Sequence, residues 1–317
     1  MDYVIGIDVG GTKTAFGLFD KHKRLIAESR IASDPDLPAE PFFDGLIREV
    51  KTMLDKASIE TAEVTGVGVG MPSFILFEKG YIVKTSNLTR IADFPARSYL
   101  SGRLGMPVLL DNDTRLAALA EHRYGAGQGR QNMLYCAIST GIASAIIING
   151  SLFRGSYGWA GESGHTIVTP GKGILCGCGN RGCVMSWCSG SMIVKHIQMW
   201  IKQGEKTLMT ELAGGAEDIT CFHLEEAYAR QDLMAVKALN QMAQYLGLWL
   251  YNLYVIFNID CFVLGGGLLK MQNILLEPVR RVFDGYNRDE RPVHITVSAL
   301  GDRFGIIGAA ELIFDRQ

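Results

Sequence analysis

Apolar positions along the chain gather into short continuous runs that stop at glycine-containing turns, and the stretches between them carry helical spacing. Residues 3–9 are apolar and β-branched and end in Gly10-Gly11-Thr12, which predicts a buried strand entering a tight turn. Residues 14–19, the tip Asp20-Lys21-His22-Lys23 and residues 25–31 predict an antiparallel hairpin with a solvated cationic turn. After a proline-containing loop, Phe43, Leu46, Ile47, Val50 and Leu54 mark a helix over residues 42–57. A strand over 64–69 runs to Gly70-Met71-Pro72. Residues 107–113 then read as a strand closing in three polar groups, Asp111-Asn112-Asp113, before an alanine-rich helix over 114–124.

The opening plan recurs. Residues 132–139 form an apolar strand, Thr140-Gly141 a turn and residues 144–148 the returning strand before Asn149-Gly150. A unit of strand, phosphate-sized turn and hairpin in each half predicts two related α/β lobes facing one another. Residues 245–264 are apolar enough to suggest a membrane span, but Asn252, Asn258 and Asp260 interrupt them and Gly265-Gly266-Gly267 follows. A buried helix running into a buried strand fits better.

Composition narrows the class. The chain has 317 residues, 48% of them hydrophobic and 20% charged, a balance that folds and is not left disordered. With 31 basic and 33 acidic residues the net charge is −2, which excludes a strongly basic nucleic-acid-coating protein. The length suggests two domains of about 150 residues each. Met1-Asp2-Tyr3 puts an acid where a secretory signal needs a basic region, so a cytoplasmic location is expected. Seven cysteines, four of them within residues 176–188, favour a metal over disulfides in that compartment.

Three segments carry chemistry. Asp8-Val9-Gly10-Gly11-Thr12-Lys13-Thr14 brings bare backbone to an anion, with glycines free to adopt positive φ, and Asp8 could hold hydrated Mg²⁺; a plain glycine turn between strands reads the same residues. The segment is neither a Walker loop nor G-x-G-x-x-G. His165 with Cys176, Cys178 and Cys183 matches a closed tetrahedral Cys₃His zinc site with no vacant position. Cys136, Cys188, Cys221 and Cys261 read as small core residues. Asp111-Asn112-Asp113 offers a base and an orienting amide suited to phosphoryl transfer, or simply caps a helix. Glu162, three residues before His165, either joins the same site or is solvated.

Taken in order, Asp8 to Lys13, Asn112-Asp113 with Ala117-Ala118-Leu119, Gly161-Glu162-Ser163-Gly164-His165, the cysteine cluster, Leu264-Gly265-Gly266-Gly267 and Gly308-Ala309-Ala310 resemble the ROK family of sugar kinases over residues 5–313. That resemblance implies an α/β fold of the two-lobed, actin-like ATPase (ribonuclease H-like) type with an interlobe cleft and a zinc-binding loop. It implies lobes at 1–113 with 300–317 and at 114–299, the zinc loop spanning 165–183. By the same resemblance the protein is an ATP-dependent phosphotransferase acting on an alcohol group, the 6-hydroxyl of a hexose. Asp113 is then the general base. Asn87, Asn112, Glu162 and His165 contact the sugar, His165 also binding structural Zn²⁺ with Cys176, Cys178 and Cys183. Asp8, Gly10, Gly11, Thr12, Lys13, Thr140 and Gly141 serve the MgATP phosphates, and Gly265, Gly266 and Gly267 the adenosine. Expected partners are the hexose and a second copy of the chain, with neither nucleic acid nor membrane; the family's DNA-binding members carry an extra N-terminal winged helix, whereas this sequence starts at the phosphate strand.

Two positions depart from the family pattern. Met185 stands where the family has a sugar-contacting Glu, and a hydroxyl desolvated without that partner would cost about 1–3 kcal/mol, a ten- to hundredfold loss of affinity. Allose, fructose, glucose and N-acetylhexosamines therefore all stay open as substrates. The second turn reads Ser139-Thr140-Gly141-Ile142-Ala143-Ser144-Ala145 in place of a glycine-richer run. A sugar-binding or sensing protein with weak catalysis is the alternative reading.

Overall fold

The computed structural model describes residues 2–288 and 291–315; residues 1, 289–290 and 316–317, which include both ends of the first expected lobe, lie outside the described residues. Along the chain run β1 (Tyr3–Val9), β2 (Lys13–Asp20), β3 (Leu25–Ala32), α1 (Ala39–Ala57), β4 (Val64–Met71), β5 (Ser73–Leu76), β6 (Tyr81–Thr85), β7 (Ala92–Phe94), α2 (Ala96–Leu104), β8 (Val108–Asn112) and α3 (Asp113–Tyr124). There follow β9 (Met133–Ile138), β10 (Ile142–Ile148), β11 (Ser151–Phe153), α4 (Met185–Cys188), α5 (Gly190–Lys202), α6 (Met209–Ala213), α7 (Cys221–Ala229), α8 (Leu233–Phe257), β12 (Cys261–Gly265), α9 (Gln272–Tyr286), β13 (His294–Val297) and α10 (Phe304–Phe314).

The predicted repeat is visible in the sheets. One has the order β3-β2-β1-β4-β8 and another β11-β10-β9-β12-β13, so in each the first strand of its run is central, with a returning strand on one side and later strands on the other. β1 pairs antiparallel with β2 and parallel with β4, and β12 pairs parallel with β9 and β13. A third, three-stranded sheet, β5-β6-β7, branches off after β4.

Two compact units divide the chain: Met1–Gln131, Ala145–Ala160 and Ala299–Gln317 make the first, Asn132–Ser144 and Gly161–Ser298 the second. The boundary expected at 113/114 falls at the β8–α3 junction, yet α3 stays with the first unit, because its Leu116 and Leu119 are buried with Ile306, Ala309 and Ile313 of α10. On the other face of that sheet, Ile5, Ile7 and Val9 of β1 pack with Phe43, Leu46 and Val50 of α1. The alternation of β1 thus feeds two cores. α10 lies so close to the sheet that a Cβ on Gly68 would fall 1.7 Å from the Ala309 carbonyl oxygen, which accounts for Gly308-Ala309-Ala310 as a packing motif. At the hairpin tip Lys23 is not merely solvated: its Nζ sits 2.9 Å from the buried Glu311 carboxylate.

In the second unit α8 is capped by Asp232, whose side chain accepts from the Ala235 N–H at 2.8 Å, and stops at Asn258 in the left-handed conformation. The apolar run therefore splits into helix and strand, as predicted. Among the described residues, no helix is long and apolar enough to cross a membrane.

Candidate active site

In the first unit, strand register brings the acids together. Asp8 of β1 and Asp111 of β8 both pair with Gly70 of β4, so they lie level at the carboxyl ends of parallel strands, where α/β folds place ligands. Asp111 is not a base. It is fully buried and holds Arg115 Nη1 at 3.0 Å and Arg154 Nε at 2.8 Å, one arginine to each oxygen. Asn112 caps α3 through the Thr114 N–H at 3.0 Å and donates its amide to the Ser73 carbonyl at 3.3 Å. Asp113 opens the helix, one oxygen 2.9 Å from the same Thr114 N–H, so capping and presentation of a carboxylate coexist at this junction.

Burial pushes the Asp8 carboxyl up to about 6, with the Asp113 charge adding to the rise and Lys13 opposing it. Burial likewise raises Asp113, against the Thr114 N–H and the Arg115 charge. Two buried carboxyls raised in this way are suited to a base and a cation ligand. A raised folded-state value means that ionised Asp8 destabilises the metal-free fold above pH 6, and that the penalty is relieved as pH falls from 6 toward 4. The full span is about 3 kcal/mol. Asp8→Asn should therefore raise the melting temperature of the metal-free protein at pH 8, with the gain narrowing below pH 6; a gain that does not change with pH would rule out this cause.

The glycines after β1 act differently from expectation. Neither Gly10 nor Gly11 has positive φ. Their lack of a side chain serves close approach instead: a Cβ on Gly10 would lie 2.8 Å from the Lys13 carbonyl oxygen, and one on Gly11 3.2 Å from Cβ of Asn87. The exposed Asn87 is thereby placed against the first turn.

In the second unit, Thr140 and Gly141 form a turn closed by the Ser139 N–H on the Gly141 carbonyl at 2.9 Å. The start of α5 is tied to it, Gly190 N–H to Ser139 O at 2.8 Å and Ser191 Oγ to Thr140 O at 2.6 Å. Beside this turn opens a cavity of about 510 Å³ lined by Thr140, Gly267, Val194, Ile219, Phe222, Leu268 and Met271, with Lys195 and Lys270 among its polar groups. Its apolar walls and two cations suit a base and a phosphate tail. Gly265 and Gly266 are required by the fold itself: a Cβ on Gly265 would lie 2.0 Å from Tyr135 Oη, and Gly266 has φ +99° against the Ile138 carbonyl. Gly267 alone of the three lines the cavity. Cys221 lines it too, half-buried, its thiol facing the Gly190 carbonyl, so it is a wall residue and not core.

The metal cluster assembles. Ligand atoms of His165, Cys176, Cys178 and Cys183 all lie within 4.8 Å of one another, with His165 Nδ1 3.3 Å from Cys176 Sγ and Cys178 Sγ 3.6 Å from Cys183 Sγ. A tetrahedral zinc with bonds of about 2.3 Å spaces its donors about 3.7 Å apart, so the four residues fit that ion. Burial pushes the Cys183 thiol up to about 12, whereas Cys178 is held below its ordinary value because hydrogen bonds from Asn180 and the neighbouring thiols outweigh burial. Such a set wants a cation. Glu162 precedes the short turn Ser163–His165 and His165 closes it, the His165 N–H bonding to the Glu162 carbonyl at 3.1 Å. Met185 begins α4, and its methyl lies 3.4 Å from where a Cβ on Gly141 would stand, so this side chain sits against the second turn.

Sequence reasoning missed Arg115, Arg154 and the cavity wall of α5 and α7. Arg154 meets Asp111 from 43 positions away, and no local pattern signals that pairing.

A five-stranded sheet built twice to one plan, with a tight turn after each leading strand and paired acids at a strand tip, defines an α/β phosphotransferase-type scaffold of the actin-like ATPase fold. The chain belongs to the ROK family, whose sequence model matches residues 4–316. Among similar structures, a ROK hexokinase from Thermus thermophilus is 30% identical, with TM-score 0.83 over 99% of this chain and 100% of that one. A ROK family glucokinase from Streptomyces griseus, in complex with glucose and AMPPNP, is 30% identical with TM-score 0.79 over 98% of each chain. A glucokinase from Streptomyces coelicolor is 28% identical over 318 residues, 98% of each chain.

Proposed function

We propose that this protein transfers the terminal phosphoryl group of ATP to the 6-hydroxyl of a hexose. The observation that carries the reading is the Asp8–Asp113 pair, two carboxylates at the tips of parallel strands whose charges disfavour one another, in a chain related to glucokinases along its whole length. Asp113 takes the hydroxyl proton as the sugar oxygen bonds to phosphorus, and the bond to ADP breaks with its electron pair leaving on ADP. Asn112 is held by Thr114 and Ser73 so that its side chain is oriented before the sugar arrives. Asn87, Glu162 and His165 are the further sugar contacts. His165 can turn its second ring nitrogen to the sugar, since Nδ1 faces the thiols.

The turns at residues 10–13 and 140–141 take the phosphates, and the cavity beside Thr140 takes the nucleoside. Asp8 would hold Mg²⁺, which neutralises developing phosphate charge when bound. His165, Cys176, Cys178 and Cys183 would hold Zn²⁺ as a loop staple.

MgATP with a panel of hexoses and N-acetylhexosamines, scored by coupled ADP release, tests the reading. Sugar-dependent release is expected. Met185→Glu should shift the profile toward glucose at least tenfold in kcat/KM ratio; an unchanged profile would mean that this side chain does not meet the sugar. The contact of Met185 with the altered second turn favours one rival, a sugar sensor. Sugar and ATP binding by calorimetry without ADP release would select that rival.

A further inference from the structure

Beside the β8–α3 junction the first unit exposes aromatic rings that the reaction outlined above does not use. Tyr157 is 75% exposed and Trp159 38% exposed, and Trp159 meets the half-buried Phe74 edge-on at a centroid distance of 5.5 Å. Tyr157 lies 6.5 Å from Trp159, and Lys84 Nζ covers the Phe74 ring at 4.7 Å. Phe74 is therefore a support, and the rings with accessible surface are Trp159 and Tyr157. Scattered exposed apolar residues are ordinary, but contiguous aromatic ones mark binding surface.

The rim is fastened to the acceptor end of the site at both of its halves. Ser73, which precedes Phe74, accepts the Asn112 amide at 3.3 Å, and Ala160, which follows Trp159, accepts from Arg115 at 3.4 Å. The Tyr157–Trp159 loop is closed by the Ala160 N–H on the Arg154 carbonyl at 3.0 Å, while Arg154 itself is anchored on Asp111. Gly158 sits against the Ile75 carbonyl, with φ +79°. The rings are thus held before any ligand arrives, at one residue's remove from groups bonded to Asn112 and Arg115.

From this we infer that Trp159 and Tyr157 form an additional subsite that stacks on a second ring carried by the acceptor, so that the sugar substrate class extends to glycosides and disaccharides. The inference rests on the hexose-kinase reading for its neighbour, the Asn112–Asp113 junction. A pyranose or aryl aglycone offers an apolar face of matching size for these rings to stack on.

The test compares glucose with cellobiose and phenyl β-D-glucoside, in the wild type, Trp159→Ala, Trp159→Phe and Tyr157→Ala. Expected is a loss of about tenfold in kcat/KM for the two glycosides in Trp159→Ala, with glucose within twofold and most of the loss recovered in Trp159→Phe. Equal losses on glucose and glycosides, or none on either, would overturn the subsite. So would a Trp159→Ala effect confined to the association state, which would make the rim a contact between copies. Direct binding of phenyl β-D-glucoside, followed by calorimetry, separates the two readings. Trp159-dependent binding without turnover of any sugar keeps the rim and removes the kinase, and glucose turnover with glycoside binding indifferent to Trp159 does the reverse.

Discussion

Asp113→Asn should lower sugar-dependent ADP formation by a factor of about 10²–10⁴, the usual worth of a positioned general base. The variant isolates chemistry from folding. An asparagine at this position keeps an oxygen that can accept the Thr114 N–H, which Asp113 now holds at 2.9 Å and Asn112 at 3.0 Å, so the start of α3 is preserved. It also removes one of the two repelling acids, which lets Asp8 ionise more readily and should leave the melting temperature equal or higher. The contrast with Asp111→Asn is instructive, because that change leaves Arg115 and Arg154 facing a neutral amide in a buried site and should cost several kcal/mol of stability. Steady-state kinetics together with thermal unfolding distinguish them. A fully active Asp113→Asn enzyme would remove the base from the mechanism.

Much of this arrangement could be read in the sequence for a physical reason. Buried parallel strands are continuous apolar runs, and a turn that must not collide with its own backbone needs glycine, so β1, β4, β8, β9 and their turns announce themselves. Helix α1 begins at Ala39, before the first strongly apolar position, because Pro38 precedes the helix as its cap and the first turn buries little. The junction at Asn112 reads as chemistry and as a cap; the cap is what the structure shows, with the Asp113 carboxylate beside it. Hidden were the features made by distance along the chain. The Asp111–Arg154 pair and the Phe74–Trp159 contact join segments that show no shared period. Glycine misled in one respect: Gly10, Gly11 and Gly265 are required by neighbouring protein atoms rather than by a left-handed backbone, and a sequence does not distinguish those needs.

The second large effect concerns the loop from His165 to Cys183. This segment has almost no core of its own: Ile167 and Leu175 are about half exposed, and its regular pairing amounts to two isolated bridges, Ile167 with Cys183 and Leu175 with Arg181. Its shape depends on strained or crowded glycines such as Gly182, at φ +89° and with no room for a Cβ beside the Thr169 carbonyl. What closes such a loop is the cluster of three thiols and an imidazole, and structural zinc supplies about 10–16 kcal/mol where it organises a small fold. Removing it here should not unfold the sheets, whose cores lie elsewhere. Cys178→Ala, at the exposed ligand, should instead reduce bound zinc from one equivalent to near none and strip amide protection from residues 166–184, as read by metal analysis and hydrogen exchange. Because Glu162, His165 and Met185 border the same loop, the hexose KM should rise at least tenfold while ATP binding, which we propose at the cavity of α5 and α7, changes little. A chain purified without zinc and with the loop equally protected would show that hydrogen bonds alone hold these residues, and the staple would have to be withdrawn.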